Sequence, residues 1–302
     1  MSNQTEGFAR SVHVRLVRHA KEQGLDPTLV FTRYAIERFL YRLSESEHSD
    51  RFVLKGALLL YAWLGDVGRA TRDADLLGVG DLSDQALHEI FRDICLQGVA
   101  DDGMVFDPAS IRVAAIRVED GYGGRRVTLT GQLGKGQSRV QVDIGIGDAT
   151  VPEPDRVDYP TLLGDPAPHL RGYRPETVVA EKLHAIVHLG LANTRMKDFY
   201  DLLTLAQTQH FVLRRLGGAI EATFARRNTE IPQGVPPGLS EVFAVGGREV
   251  QWSAFLERNE LAARPTLGAV LHELRGFLGP VTWDRDRASA SGSWEYGVGW
   301  RS

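Results

Sequence analysis

The sequence predicts an α+β fold, a mixed sheet with flanking helices followed by a helical second half, and three features carry that prediction. Residues 8–46 repeat their apolar positions at helical spacing. The middle of the chain alternates short apolar runs with turn chemistry, and from Pro175 onward the period is again almost wholly helical. A length of 302 residues accommodates two folded units. The expected division is 1–150 for a core carrying two opening helices, 151–283 for a helical domain, and 284–302 for a flexible tail.

Each element has its own signal. Phe8, Val12 and Leu16, then Ala35, Phe39, Leu40 and Leu43, mark two helices separated by the break from Gly24 to Pro27. Phe52-Val53-Leu54-Lys55 is a strand-length run that Gly56 turns into a helix lasting to Trp63 and stopping at Gly65. Asp73-Ala74-Asp75-Leu76-Leu77 alternates polar and apolar residues, as a second strand beside the first would. Residues 83–98 suit a helix. Three runs, 111–118, 126–133 and 139–146, are joined by turn-rich segments at 119–124 and 134–137 and predict a mostly antiparallel sheet. A loop rich in Pro and Asp follows over 148–168. Pro175 opens a helix striped by Val178, Val179, Leu183, Ile186 and Val187, and further helices are expected over 196–207, 209–226 and 266–278. The last stretch, 284–302, has no period and no repeat is visible anywhere.

Composition narrows the class. At 43% hydrophobic and 25% charged residues, collagenous, low-complexity and wholly disordered chains are excluded. A net charge of −4 does not advertise a nucleic-acid binder, so any such contact must be local. Candidates are Arg112, Arg117, Arg125, Arg126, Lys135 and Arg139 on the hairpins, with Arg214, Arg215, Arg226 and Arg227 on a later helix, although arginines there also merely solubilise edges and faces. One cysteine, Cys95, excludes a disulfide framework and a multi-thiolate zinc site, and fits a reducing compartment, the cytoplasm. The N-terminus has no apolar run of signal-peptide length and no segment approaches the eighteen apolar residues of a membrane span, so no membrane is expected.

The chemistry concentrates around Asp73 and Asp75. Two apart in a strand, they project to one face, and two carboxylates side by side call for a hard divalent cation such as magnesium. An exposed loop would offer the same pattern with no function. Asp143, centred in Val140-Gln141-Val142-Asp143-Ile144, could supply a third metal-binding acid from an adjacent strand. Lys55-Gly56 runs from a strand into a helix, where backbone amides can bind phosphate; the alternative is a plain tight turn. Arg69 and Arg72 add cationic reach. In the helical half, Lys182 could meet Asp198 and Asp201 across a helix pair, either as a structural salt bridge or as part of a site.

Other patterns fail. Residues 131–138 lack the spacing of a phosphate loop, and Gly78-Val79-Gly80 lacks the third glycine of a dinucleotide fingerprint. His184 and His188 lack the glutamate of a helical zinc motif, and Cys95 between Ile94 and Leu96 reads as packing.

Taken together, Phe52-Val53-Leu54-Lys55-Gly56-Ala57, Thr71-Arg72-Asp73-Ala74-Asp75-Leu76, the segment 176–185 and Lys197-Asp198-Phe199-Tyr200-Asp201-Leu202 resemble the AbiEii/AbiGii nucleotidyltransferase toxins (DUF1814-like, including the mycobacterial MenT proteins) over residues 10–280. The resemblance implies a polymerase-β-like nucleotidyltransferase core, a helical domain completing the active-site cleft, and a toxin of a toxin-antitoxin system. It further implies transfer of nucleotides, pyrimidines in the MenT proteins, from a nucleoside triphosphate to tRNA 3′ acceptor ends, which blocks aminoacylation and translation. The implied partners are tRNA and a cognate antitoxin, with no DNA expected, and the implied cofactor is Mg2+ or Mn2+. Asp73 and Asp75 match the metal-binding catalytic acids, Lys182 the nucleotide-handling lysine, Asp198 the later essential acid, and Asp201 a second choice. Lys55, Gly56, Arg69 and Thr71 fall at nucleotide-binding positions. In some relatives the residue matching Thr71 is phosphorylated by a kinase antitoxin. The chain departs from the family in having Gly56-Ala57 where Gly-Gly or Gly-Ser is common. Transfer to a protein hydroxyl and a non-catalytic binding module of the same fold are the competing readings.

Overall fold

The opening helical periods become α1 (Asn3–Gln23) and α2 (Pro27–Glu45), and their apolar stripes, Val12 and Leu16 on one and Tyr34, Phe39 and Leu43 on the other, are buried. Asp26 caps α2 by accepting from the Thr28 amide at 2.9 Å, with Pro27 in the first turn where its missing N–H costs nothing. The computed structural model describes residues 3–65, 71–116, 123–261, 263–284 and 291–301, except for the side chains of 3–5. It divides into two units, Met1–Gly147 with Asp155–Gly172, and Asp148–Pro154 with Tyr173–Ser302.

In the first unit, β1 (Phe52–Lys55) runs straight into α3 (Gly56–Leu64), and β2 (Ala74–Gly78) lies beside β1. After α4 (Asp84–Leu96) come the long strands β3 (Met104–Ile116), β4 (Gly124–Leu133) and β5 (Gly136–Ile146), then β6 (Asp155–Asp158) and β7 (His169–Gly172). They form one sheet in the order β3-β4-β5-β2-β1-β7-β6. The β3-β4, β4-β5, β2-β1 and β6-β7 pairs are antiparallel, and β5-β2 and β1-β7 are parallel. Alternation along β4 and β5 buries Val127, Leu129, Val140, Val142 and Ile144 on one face and leaves the polar residues on the other. Phe39 on α2 stacks on Phe91 of α4 at 5.4 Å and meets Phe106 of β3 edge-on at 5.6 Å.

Buried charges tie later segments of this unit to α2. Arg42 grips Asp102 with two hydrogen bonds of 2.7 and 3.0 Å, Glu37 accepts from the Leu162 amide at 2.8 Å, and Arg38 donates to the Pro166 carbonyl at 2.9 Å. Burial pushes the Glu37 carboxyl up to about 7 although Arg38, 2.8 Å away, acts in the opposite direction.

The second unit holds α5 (Pro175–Leu189), α6 (Met196–Thr208), α7 (Leu213–Arg226), α8 (Gly247–Arg258) and α9 (Leu267–Leu278). Its small sheet, in the order β10-β9-β8, joins β8 (Phe211–Val212) to a C-terminal hairpin of β9 (Ser293–Glu295) and β10 (Gly299–Arg301). Among the described residues no helix is long and apolar enough to cross a membrane.

Three expectations change. The Pro- and Asp-rich loop contains β6 and β7 flanks it, and both strands belong to the first unit, so the boundary is not a single cut near 150. The helix expected from 209 begins at Leu213, because Phe211 and Val212 pair with Trp294 and Ser293. Residues 293–301 of the expected flexible tail form a hairpin, anchored by Trp294, whose indole donates to the Ala206 carbonyl at 2.7 Å.

Candidate active site

The acids stand where sheet register puts them. Lys55 of β1 lies opposite Asp75 of β2, Asp75 opposite Asp143 of β5, and Asp143 opposite Arg126 of β4. Residues opposed across neighbouring strands share a face, so Lys55, Asp75, Asp143 and Arg126 form one polar row. Asp73, two residues ahead of Asp75 and just before β2, extends the row at its edge.

Gly56 explains how Asp75 is seated. Its φ is +69°, in the left-handed region, and a Cβ there would fall 2.0 Å from Asp75 Oδ2 and 2.7 Å from its Cγ. The Asp75 carboxylate therefore rests in the space of a missing side chain at the first residue of α3. A glycine is required twice over at this point, once for the backbone and once for the acid packed on it.

Each remaining acid has a defined partner. Arg126 donates to Asp143 through Nε and Nη2, both at 2.7 Å, a bidentate fork. That hydrogen bonding holds the Arg126 pKa above its ordinary value against the opposing effect of desolvation, helped by the charges of Asp143, Asp73 and Asp75. Thr71, a residue only 8% exposed, donates its hydroxyl to Asp73 Oδ1 at 2.9 Å and fixes that carboxylate locally. Arg69 lies outside the described residues.

A second cluster is built within the other unit. Lys182 on α5 donates to Asp198 at 2.9 Å and to Asp201 at 2.7 Å, both on α6, and Arg195 Nε lies 2.9 Å from the second oxygen of Asp198. Both aspartate side chains are 2% exposed and that of Lys182 13%. Burial opposes the charge on Lys182, yet Asp198 and Asp201 together hold its pKa above the usual lysine value. Asp198 is held below the usual carboxylate value, with Lys182 and Arg195 outweighing its burial. The expected meeting of one lysine with two acids is thus present.

Asp73 and Asp75 supply hard oxygen donors on one side of a strand, a set that fits magnesium or manganese. Asp143 is held by Arg126 through both oxygens, and among the described residues no group of three or more His, Cys, Asp or Glu side chains converges as a ready metal cage. Asp75 and Asp143 share a register, with Asp73 just ahead of β2, and the described residues show no preassembled cage.

Several arginines suggested as nucleic-acid contacts are otherwise engaged. Arg125 pairs with Asp84 at 2.6 Å, Arg112 donates to the Ala109 and Ile111 carbonyls, and Arg215 approaches Glu176 at 3.4 Å. Arg227 reaches Asp148 at 3.2 Å and Glu181 at 3.4 Å. Arg117 lies outside the described residues. The role of Arg126 as the partner of Asp143 was missed from the sequence, yet it was countable. The two-residue turn Gly134-Lys135 pairs Leu133 with Gly136, and equal steps back along β4 and forward along β5 bring Arg126 opposite Asp143.

Beside this arrangement, a mixed sheet presenting paired aspartates next to a Lys-Gly strand-to-helix turn, the family match puts the chain in the nucleotidyltransferase class. Residues 38–283 match the family described as the nucleotidyl transferase AbiEii toxin of type IV toxin-antitoxin systems, and the chain belongs to that family. Membership implies an antitoxin partner. No curated protein matches the sequence. Among solved structures, JHP933 from Helicobacter pylori is 16% identical, over 74% of this chain and 80% of its own, with a TM-score of 0.38. A second H. pylori protein, described as a nucleotidyltransferase, is 14% identical over 88% of this chain and 100% of its own, with a TM-score of 0.37.

Proposed function

We propose that this protein transfers a nucleotidyl group from a nucleoside triphosphate to the 3′ hydroxyl of an RNA, with a tRNA acceptor end as the substrate and a pyrimidine as the nucleotide. Such a tRNA can no longer be charged, and translation stops. The observation that carries this reading is the row Lys55, Asp75, Asp143 and Arg126, with Asp73 at its edge and the start of α3 beside Asp75.

In the reaction the 3′ oxygen attacks the α-phosphorus, a phosphodiester bond forms, the bond to the β-phosphate breaks, and pyrophosphate leaves in line. Asp73 and Asp75 are the residues that would hold magnesium, which when bound supplies charge neutralisation at the reacting phosphate and lowers the pKa of the attacking hydroxyl. The amides at the start of α3, with Lys55, receive triphosphate oxygens. Asp143 accepts the proton of the attacking hydroxyl, and Arg126 orients it for that task. Lys182, with Asp198 and Asp201 as its positioning acids, takes the nucleotide-handling role that the family resemblance assigns to it. A tRNA substrate makes the cytoplasm the place of action.

The test incubates the protein with total tRNA, magnesium and each labelled triphosphate in turn. Label in RNA from one pyrimidine triphosphate is the expected result. Label in protein instead moves the acceptor to a side-chain hydroxyl, and label in neither leaves a binding module of the same fold.

A further inference from the structure

A cavity of about 590 Å3 opens in the first unit at the unpaired edge of β5. β2 begins only at Ala74, opposite Val142, so over residues 136–141 no described strand pairs with that edge of β5. The first turns of α2 and part of α1 face the gap, and Arg72, the residue before Asp73, closes one side. The volume lies within the range of small-ligand sites.

The lining has the composition of a nucleotide site. Phe31 presents a half-buried ring, supported by His13 at 4.8 Å between centroids. An aromatic face of this kind stacks on any unpaired base. Gln137, Arg139 and Gln141 also line the cavity, and in strand alternation they share a face with Asp143. The amides of Gln137 and Gln141 carry donors and acceptors for a base edge. Arg72, whose side chain is 69% exposed and lies 3.7 Å from Asp26, and Arg139 provide cations for an adjacent phosphate. Gln141 stands two strand positions from Asp143, about 7 Å by the rise of an extended chain. The cavity therefore ends within one nucleotide of the acid row.

We propose that this cavity is a nucleotide subsite that wraps the β5 edge, taking one base on Phe31 with its phosphate on Arg72 and Arg139, while Gln137 and Gln141 meet the nucleotide from the Asp143 face. The ligand is either the terminal nucleotide of the acceptor strand or the incoming triphosphate, which share this chemistry. The inference rests on the transferase reading and adds to it the residues that choose the base.

The experiment measures equilibrium binding of two probes, a 5′-fluorescein RNA heptamer with a free 3′ hydroxyl and a fluorescent pyrimidine triphosphate, to wild type, Phe31→Ala, Phe31→Trp, Gln141→Leu and Arg72→Ala. Phe31→Ala is expected to weaken one probe by about tenfold, the loss of one base stack, and Phe31→Trp to retain it. Weakening confined to the RNA assigns the cavity to the acceptor, and weakening confined to the triphosphate assigns it to the incoming nucleotide. Arg72→Ala, an exposed substitution that leaves the fold intact, should weaken the same probe as Phe31→Ala. Wild-type affinity for both probes in Phe31→Ala, Gln141→Leu and Arg72→Ala overturns the proposal, as does a wild type that binds neither. Because binding is read without turnover, a wild type that binds through Phe31 but incorporates no label refutes the transferase alone. Label incorporation by a wild type whose variants all bind equally well refutes the subsite alone.

Discussion

Gly56→Ala tests the seating of Asp75 most sharply. The substitution adds one methyl group at a residue with φ +69°, and that methyl would lie 2.0 Å from Asp75 Oδ2 and 2.8 Å from its Cβ. The backbone contribution is the left-handed penalty of a non-glycine residue, about 1–2 kcal/mol. Steric overlap at such a distance cannot persist, and relieving overpacking costs about 1–3 kcal/mol unless the carboxylate swings away. A carboxylate displaced by about 1 Å costs an enzyme on the order of a hundredfold in rate. Gly56→Ala should therefore unfold about 1–2 kcal/mol more easily, the φ penalty alone, while kcat/KM for nucleotide transfer falls about a hundredfold or more. A double-mutant cycle with Asp75→Ala separates the two effects. In the Asp75→Ala background the added methyl meets no carboxylate but the φ penalty persists, so the two stability effects should add to within about 0.5 kcal/mol. Urea unfolding supplies the stability term and single-turnover transfer the kinetic one. A Gly56→Ala protein with wild-type stability and wild-type transfer would show that neither the backbone strain nor the overlap is real.

Three further outcomes follow from the same geometry. Lys182→Met removes the ammonium shared by two aspartates that are each 2% exposed, and should cost about 3–5 kcal/mol in denaturant unfolding. Because the folded pKa of Asp198 lies below its ordinary 3.8, its stabilisation is present above that value and lost as pH falls through the folded one. Wild-type stability should thus drop on the acid side of pH 3.8 more steeply than that of Lys182→Met, and parallel pH profiles would contradict the assignment. Thr71→Glu places a charge beside Asp73, in a hydroxyl position 2.9 Å from its carboxylate, and should abolish transfer. Thr71→Val loses one hydrogen bond and should retain transfer to within about tenfold; equal rates for Thr71→Glu and wild type would remove phosphorylation there as a means of restraint. Arg126→Ala, at a side chain 42% exposed, should change stability by no more than about 1 kcal/mol yet slow transfer more than about tenfold, as measured by unfolding and label incorporation.

What could be read from the sequence follows from how locally each signal was encoded. The β1-α3 turn was legible because an apolar run ends at a glycine that the turn itself requires, and the acid pair because alternation in one strand sets both side chains on one face. Asp143 was legible as a neighbour of Asp75, and the hairpin turn contained the register that places Arg126 on it. β6 and β7 were hidden because each is four residues long and buries a single large apolar side chain, Val157 and Leu170, which gives no period to detect. α8 was hidden for a related reason, with only Trp252 and Leu256 buried along twelve residues. The C-terminal hairpin depends on Trp294 packing against Phe277 at 4.9 Å, a contact between residues far apart in sequence that no local pattern reports. Arg227 was offered as a nucleic-acid contact and instead pairs with Asp148 and Glu181, because burial, which the sequence does not print, decides whether a cation faces solvent.

The most direct measurement sequences the 3′ ends of a total tRNA pool after incubation with magnesium, all four triphosphates and either wild type or Asp73→Asn, a change that keeps the shape of the side chain and removes its charge. Acceptor ends treated with the wild type should carry extra pyrimidines, and those treated with Asp73→Asn should stay unextended. Ends extended equally by both proteins would contradict this, because the chemistry would then proceed without the acid on which the whole site is built.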